Sequence, residues 1–187
     1  MTKTIASTSD YSARIAKVRA AMVSKQVDAA LLSVGHDLPY LSGYFAMPLE
    51  RLTMLVIPQS GEVTMVVPRL EVARVTPQPG VFSITAWGET ENPVAIVAKL
   101  LGNAKSIAVG DQMWARFLVE LLPLVPGATF VRAVDVVGAL RMSKDASEIA
   151  ALVAAGAAAD RVALQLHSGQ IPLIGRTEAQ VSADISA

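Results

Sequence analysis

The sequence predicts a three-layer α/β domain built on a mixed sheet of five or six strands. Short apolar segments bounded by glycine or proline alternate with helical segments up to about residue 141. Two of the apolar segments, RLTMLVIP (51–58) and EVTMVVP (62–68), are separated only by QSG, which predicts an antiparallel hairpin. The strands that follow are separated by helices, and such crossovers join parallel strands.

Composition limits the classes of function. With 52% hydrophobic and 17% charged residues in a chain of 187, the protein can bury a sizeable core, which excludes bulk disorder. Sixteen basic and sixteen acidic residues leave no excess charge to neutralise phosphates, so no nucleic-acid partner is expected. The absence of cysteine excludes disulfides and thiol nucleophiles.

The sequence predicts no targeting or membrane-spanning segment. The polar first nine residues, expected to be frayed, lack a signal-peptide core, and the longest uninterrupted apolar run has eleven residues (149–159). We therefore expect a cytoplasmic protein with no membrane partner.

The N-terminal segment predicts one helix and one strand ahead of the hairpin. Ser9 or Asp10 is expected to cap a helix that ends near Gln26. DAALLSV (28–34) is typical of a buried strand, and HDLPYLSGYF (36–45) predicts a turn or short helix. The apolar positions of the helix recur at helical spacing: Tyr11, Ile15, Val18 and Met22.

After the hairpin, helices and strands alternate. The predicted elements are a short helix at 70–75, a strand at 81–87, a helix at 93–101 capped by Asn92, a strand at 105–110, a helix at 115–122, a strand at 128–134 and a short helix at 135–140.

From Ser143 onward the sequence contains no strand candidate. Ser143 or Asp145 is expected to cap a long alanine-rich helix that ends near His167, and Thr177 begins another helix. The chain therefore divides into an α/β domain at 10–141 and a helical part at 142–187.

Few residues suggest chemistry. His36 follows a strand end, where it either faces a ligand or bonds the backbone of a turn, and His167 suits the negative end of a helix dipole. Arg51, beside Glu50, is either an edge residue or a ligand contact. Asp160, Glu178 and Asp184 fit solvated helix faces. No glycine-rich phosphate loop and no G-x-S-x-G nucleophile motif occurs.

Several motifs, in this order, resemble the N-terminal domain of the creatinase/prolidase (Xaa-Pro peptidase) family, whose catalytic part has the pita-bread fold. The resemblance covers residues 10–187 without one specific motif. The motifs are R-I-A-K-V-R-A-A-M (14–22), V-D-A-A-L-L-S (27–33), L-P-Y-L-S-G-Y (38–44), the hairpin (51–68), L-R-M-S-K-D-A-S-E-I-A-A-L (140–152) and G-R-T-E-A-Q-V (175–181).

The resemblance implies an N-terminal domain followed by the first two helices of a pita-bread catalytic domain. The parent enzyme would be a metallopeptidase, a metal-dependent Xaa-Pro dipeptidase or aminopeptidase, that hydrolyses proline-containing di- or oligopeptides. The family holds two divalent metal ions (Mn, Co or Zn) with two aspartates eleven positions apart, a histidine and two glutamates. No pair of aspartates here has that separation. We therefore expect no catalytic or metal-binding residue in this chain, which would be an N-terminal fragment or else a natural short relative.

The resemblance also implies a homodimer in which the N-terminal domain shields the catalytic site of the partner subunit. The residues expected to contact substrate there lie between Tyr44 and Arg51. Phe45 would pack on a substrate side chain, Arg51 would pair with a carboxylate, and Tyr44 and His36 are further candidates. Ordinary packing at a strand end is the alternative for each of them.

The sequence is compatible with two other functions. The parent enzyme is either a peptidase or a pita-bread enzyme with another reaction, such as a creatinase-like amidinohydrolase or a lyase. The chain is otherwise a stand-alone interaction module without catalysis. In either case, we expect the apolar helices after Ser143 to bury their apolar face in one of three ways. They fold back on the α/β domain, pair with a second copy of the chain, or swap with the same helices of that copy.

Overall fold

The computed structural model describes residues 8–186, and the predicted fraying of the first nine residues falls largely outside them. The first helix begins at Thr8, so Ser9 and Asp10 lie inside it and the predicted cap is wrong. The helices are α1 (Thr8–Lys25), α2 (Asp37–Ser42), α3 (Pro93–Leu101), α4 (Ala115–Leu121), α5 (Ala139–Met142), α6 (Ala146–His167) and α7 (Glu178–Ser186). The strands are β1 (Ala29–Leu32), β2 (Met54–Pro58), β3 (Thr64–Pro68), β4 (Ser83–Trp87), β5 (Ser106–Val109) and β6 (Thr129–Arg132).

The six strands form one mixed sheet in the order β4-β3-β2-β1-β5-β6. The hairpin is confirmed, since Leu55 of β2 pairs with Met65 of β3 in an antiparallel register. β2 is also antiparallel to β1, with Leu32 opposite Leu55. The pairs β3–β4, β1–β5 and β5–β6 are parallel, as the helical crossovers predict.

Both faces of the sheet are covered, which confirms the predicted three-layer α/β architecture. On one face α1 buries its predicted apolar stripe against strand residues such as Leu32, Leu55 and Met65. On the other face α3 and α4 pack against Leu31 and Met54. Alternate residues of each strand therefore face opposite layers, and each large side chain that is fully buried contributes about 1.5–3 kcal/mol of transfer free energy.

The starts of β1 and β5 are joined by a carboxylate. Asp28 Oδ2 accepts the backbone N–H groups of Lys105 and Ser106, at 2.7 and 2.9 Å. These two hydrogen bonds favour the ionised form and lower the pKa of Asp28. The register of the parallel pair is thus fixed at its amino end as well as by the ladder.

Two short segments differ from the sequence-based prediction. The segment after β3 is a 3-10 helix (Arg69–Arg74), where an unspecified short helix was expected. The segment after β6 starts as a π-helix (Val134–Gly138) and continues as α5. The strand ends at Arg132 because the Ala133 carbonyl already accepts the N–H groups of Val136 and Val137, at 3.0 and 2.9 Å.

The chain divides into two compact units, the first ending at Ser143 and the second beginning at Lys144. In the second unit Asp145, and not Ser143, caps α6. Its Oδ1 accepts the Glu148 N–H at 2.9 Å, while Glu148 Oε2 accepts the Asp145 N–H at 3.0 Å. The next helix is preceded by Thr177, whose Oγ1 accepts the Gln180 N–H.

No residue of α6 is buried. Four of its large apolar side chains are 51–67% exposed: Ile149, Leu152, Val153 and Leu164. By length and composition α6 is the one helix among residues 8–186 that could span a membrane, with a mean hydropathy of 1.5 over its most apolar window. The longest uninterrupted apolar run (149–159) is too short to indicate this property. Core helices of soluble proteins meet the same test.

Candidate functional site

The four sequence-predicted site residues lie in one segment that starts and ends at the same edge of the sheet. β1 runs towards this edge and β2 runs away from it, because the two strands are antiparallel. β3, β4, β5 and β6 also end there, as their registers require. We call it the carboxyl edge. In open α/β sheets, ligands bind outside the carboxyl ends of the strands.

A cleft of about 190 Å³ opens at this edge between β1 and β5. It is lined by residues 32–37, which lead from the last residue of β1 to the first of α2, and by residues 110–112, which follow β5. Val134 and Gly138 of the π-helix and Arg141 of α5 complete the wall. From β1 the chain proceeds to β2 on one side, and from β5 to β6 on the other. The cleft therefore occupies the point where the strand order reverses, which we call the switch-point cleft.

Two ion pairs flank the switch-point cleft. Arg141 Nη1 donates to Asp37 Oδ1 at 2.9 Å, joining the start of α2 to α5. Arg132 Nε donates to Asp111 Oδ1 at 3.1 Å, and a second bond makes this pair bidentate. The hydrogen bonds from Arg132 lower the pKa of Asp111, and Asp111 in turn raises the pKa of Arg132. Each of the two carboxylates in the lining of the cleft thus has a positive partner.

His36 lines the switch-point cleft at the residue preceding α2. Its side chain is exposed and makes no capping hydrogen bond to the helix that follows. His36 therefore borders a cavity, as a role in contacting a ligand would require. His167 occupies the last turn of α6, where a cation is favoured by the helix dipole.

Tyr44 begins the 44–51 loop, which ends at Arg51, three residues before β2. Its ring is buried, with 5% exposed, and its hydroxyl donates to Glu71 Oε2 at 3.0 Å. Arg74 Nη1 donates to the same oxygen at 3.0 Å. Burial and the Glu71 carboxylate raise the pKa of Tyr44 to about 12. The phenol therefore fixes one end of the loop and is neutral at physiological pH.

Phe45, the next residue, has 66% of its surface exposed. A phenylalanine in that position adds apolar contact area outside the core. It directly follows the buried Tyr44, whose hydroxyl is held by Glu71.

Arg51 fixes the other end of the 44–51 loop. Its Nε donates to Glu89 Oε1 at 3.0 Å, in the turn after β4, and its side chain is 36% exposed. The following backbone is held inside, since the Leu52 carbonyl accepts Trp87 Nε1–H at 2.9 Å and the Thr53 carbonyl accepts the Ser33 hydroxyl at 2.7 Å. Arg51 is thus anchored through its Nε, while its side chain stays partly exposed.

The structure brings the four residues to one edge but not to one contact cluster. The contacts of Tyr44 and Arg51 lie on the β3–β4 side of β2, whereas His36 lies at the β1–β5 side. The partners Asp37, Glu71 and Glu89 were missed by the sequence analysis. So was the Asp111–Arg132 pair, although a G-D-Q tripeptide directly after a predicted parallel strand is a signal for the carboxyl edge.

Within residues 8–186, no group of three or more histidine, aspartate or glutamate side chains is placed to hold a metal ion. The carboxylates of the helical part serve locally, as in the Arg176–Asp184 ion pair at 2.5 Å. The described residues therefore do not fit the two-metal site that the resemblance implies.

Comparison with known proteins identifies the domain. Residues 14–143 match the family model described as the Creatinase/Prolidase N-terminal domain. The chain is 38% identical over 182 residues to the probable dipeptidase PepE of Mycobacterium tuberculosis strain H37Rv, and the match covers 94% of this chain and 47% of that protein.

Solved structures agree with this match. The crystal structure of dipeptidase PepE from Mycobacterium ulcerans superposes with a TM-score of 0.80 at 41% identity, over 95% of this chain and 48% of that one. The recombinant prolidase of Thermococcus sibiricus gives a TM-score of 0.79 at 26% identity, over 94% and 48%. The chain thus spans about half the length of the relatives it matches, and it belongs to the Creatinase/Prolidase N-terminal domain family.

Proposed function

We propose that this chain is the N-terminal domain of a metal-dependent Xaa-Pro dipeptidase or aminopeptidase, in which it shields the active site and forms a homodimer. The observation that supports this most is the match of 94–95% of the chain to proteins named dipeptidase. The enzyme would be cytoplasmic, without a membrane or nucleic-acid partner.

In this proposal the two parts of the chain have different roles. Residues 10–141 form the N-terminal α/β domain, and residues 142–187 are the linker and first two helices of a pita-bread catalytic domain. The exposed apolar side chains of α6 support this division, because leaving several of them in water costs several kcal/mol at about 25 cal/mol per Å².

The substrate would be a proline-containing di- or oligopeptide, and the 44–51 loop would contact it across the dimer. Phe45 offers an exposed apolar ring. The Nε–Glu89 bond of Arg51 leaves its two Nη groups to bind a substrate carboxylate as a fork. Tyr44, whose hydroxyl is engaged by Glu71, would position the loop, and His36 would contribute from the other side of β2.

The two divalent ions, Mn, Co or Zn, would be held by residues beyond this chain and would activate water for the hydrolysis. Because the described residues provide no ligand set, no role in metal binding is assigned to any of them. What the chain itself contributes is the exclusion of water and the orientation of the peptide.

Two alternative functions are compatible with the same fold. A creatinase-like amidinohydrolase or lyase would share this domain, since the family model names both creatinase and prolidase, although the relatives at 38–41% identity are named dipeptidases. A stand-alone interaction module would need no catalytic half.

The test uses the protein made from the complete reading frame, assayed with Mn²⁺ for release of proline from Ala-Pro. Metal-dependent cleavage is the expected result. Hydrolysis of creatine without cleavage of Ala-Pro would favour the amidinohydrolase, and the absence of any metal-dependent hydrolysis would contradict the proposal.

The role of Arg51 has a sharper test in the same protein. Arg51→Met is expected to lower kcat/KM for Ala-Pro at least about tenfold, because a charge-assisted hydrogen bond is lost. Blocking the substrate carboxyl as Ala-Pro-amide should cause a similar loss in the wild type and no further loss in the variant. Arg116→Met is the matched control, since Arg116 forms an exposed ion pair with Glu120 on α4. Additive losses from the variant and the blocked substrate would contradict a direct contact.

A further inference from the structure

The switch-point cleft has features that the proposed peptidase function does not use. It has a volume of about 190 Å³, below the roughly 300–1,000 Å³ typical of pockets for drug-sized ligands. An occupant must therefore be small, about the size of a single amino acid. One wall is the π-helix (Val134–Gly138), a rare element that is frequent at functional sites.

Glycine shapes the mouth of the cleft. Gly35 has φ +122°, in the region that favours glycine, and a Cβ atom there would lie 2.2 Å from Oε1 of Gln112. The missing side chain lets the Gln112 amide lie directly over residue 35, so that the loops after β1 and β5 approach each other. The cleft thus has a polar amide at its mouth because position 35 has no side chain.

Two polar side chains of the lining remain available to a ligand. His36 and Gln112 make no side-chain hydrogen bond to any residue in the described part of the chain, and both are exposed. Together they offer donors and acceptors, since an imidazole donates through a ring N–H and an amide both donates and accepts.

The charges beside the cleft select the kind of ligand. Asp37 is paired with Arg141, and Asp111 with Arg132, so these four groups present both signs and their charges sum to zero. A ligand with a net charge would lose hydration without a surplus counter-charge to meet it. A molecule with one ammonium and one carboxylate group faces both signs at once.

We infer that the switch-point cleft binds a small zwitterion of the free amino-acid class, oriented by Gln112 and His36 between the two ion pairs. This goes beyond the proposed function, because the site is complete within residues 32–141 and requires no catalytic partner. A failed binding experiment would leave the peptidase proposal intact, and a failed peptidase assay would leave the binding result intact.

The experiment is an amide NMR titration of the ¹⁵N-labelled 187-residue chain with glycine and with L-proline. Acetate and methylammonium serve as probes that contain only one of the two charges. We expect saturable shifts of the Gly35, Gly110 and Gln112 amides with both zwitterions in the millimolar range, and no saturable shift with either single-charge probe. The absence of saturation with glycine and L-proline, or equal binding of acetate, overturns the inference.

Variants localise the binding. Gln112→Ala is expected to weaken binding about fivefold, as the loss of one hydrogen bond implies, and His36→Ala tests the opposite side of the cleft independently. Gln165→Ala, on α6, is the matched control and should bind like the wild type. Unchanged affinity in both Gln112→Ala and His36→Ala, with spectra that show an intact fold, overturns the assignment to this cleft.

Discussion

Helices α3 and α6 begin with equally clear caps but differ completely in burial. Asn92 Oδ1 accepts the N–H groups of Val94 and Ala95 at the start of α3, and Asp145 forms a capping box with Glu148 at the start of α6. Yet α3 buries Val94, Val97 and Leu101, whereas α6 buries none of its residues. A cap therefore indicates where a helix begins, but not what covers it.

The comparison separates two sources of helix stability. The apolar face of α3 packs against the sheet and against α4, which covers the same face of the sheet. α6 depends on local terms, namely its capping box and its many alanines, the residue with the best helix propensity. Equivalent substitutions in the two helices are therefore expected to have very different effects on stability.

The largest expected difference comes from truncating one leucine in each helix. Leu101→Ala should lower the free energy of unfolding by about 3 kcal/mol, because it opens a cavity at a side chain that is 7% exposed. Leu152→Ala, at 59% exposure, should change it by less than about 0.5 kcal/mol. Urea unfolding followed by tryptophan fluorescence measures both, and losses of equal size would contradict the comparison.

Removing the helix caps should change stability less than truncating a leucine, and the two helices should respond in different measurements. Asn92→Ala is expected to cost about 1 kcal/mol in the unfolding of the first unit, where Trp87 and Trp114 report. Asp145→Ala should leave that transition unchanged and accelerate amide hydrogen exchange throughout α6, which has no buried contacts to retain its structure. Slow exchange in α6 of the Asp145→Ala variant would show that its stability is not local.

The pH dependence of Tyr44 tests burial within the first unit. Its pKa is about 12 in the folded chain, against about 10 when unfolded, so the folded state keeps the proton longer. Its contribution to stability is complete below pH 10 and is lost as the pH rises to 12. Tyr44→Phe should cost about 1 kcal/mol at neutral pH and flatten the decline between pH 10 and 12. Parallel wild-type and variant curves in that interval would contradict the shift.

Most of the fold was predictable because its determinants are local. Short apolar segments bounded by glycine or proline located the strands, and the Q-S-G connection located the hairpin. Asn92 located the start of α3, and Asp145 was one of the two cap candidates for α6. Exact strand ends were not predictable. The strand predicted at 128–134 ends at Arg132, since the Ala133 carbonyl is taken by a π-helix whose bonding has no clear sequence signature.

The candidate site was predictable only in outline. Sequence position was enough to place His36 and the 44–51 loop at a strand end. Their partners lie far along the chain: Glu89 is 38 residues from Arg51, and Arg141 is 104 residues from Asp37. Such pairs arise from the order of strands in the sheet, which a single sequence does not specify.

The most direct test of the central claim, that this domain serves a dinuclear metallopeptidase, is the sequence of the reading frame beyond codon 187. The account predicts two aspartates eleven positions apart, followed by a histidine and two glutamates. A stop at codon 188, or an open frame without those five ligands, would contradict it.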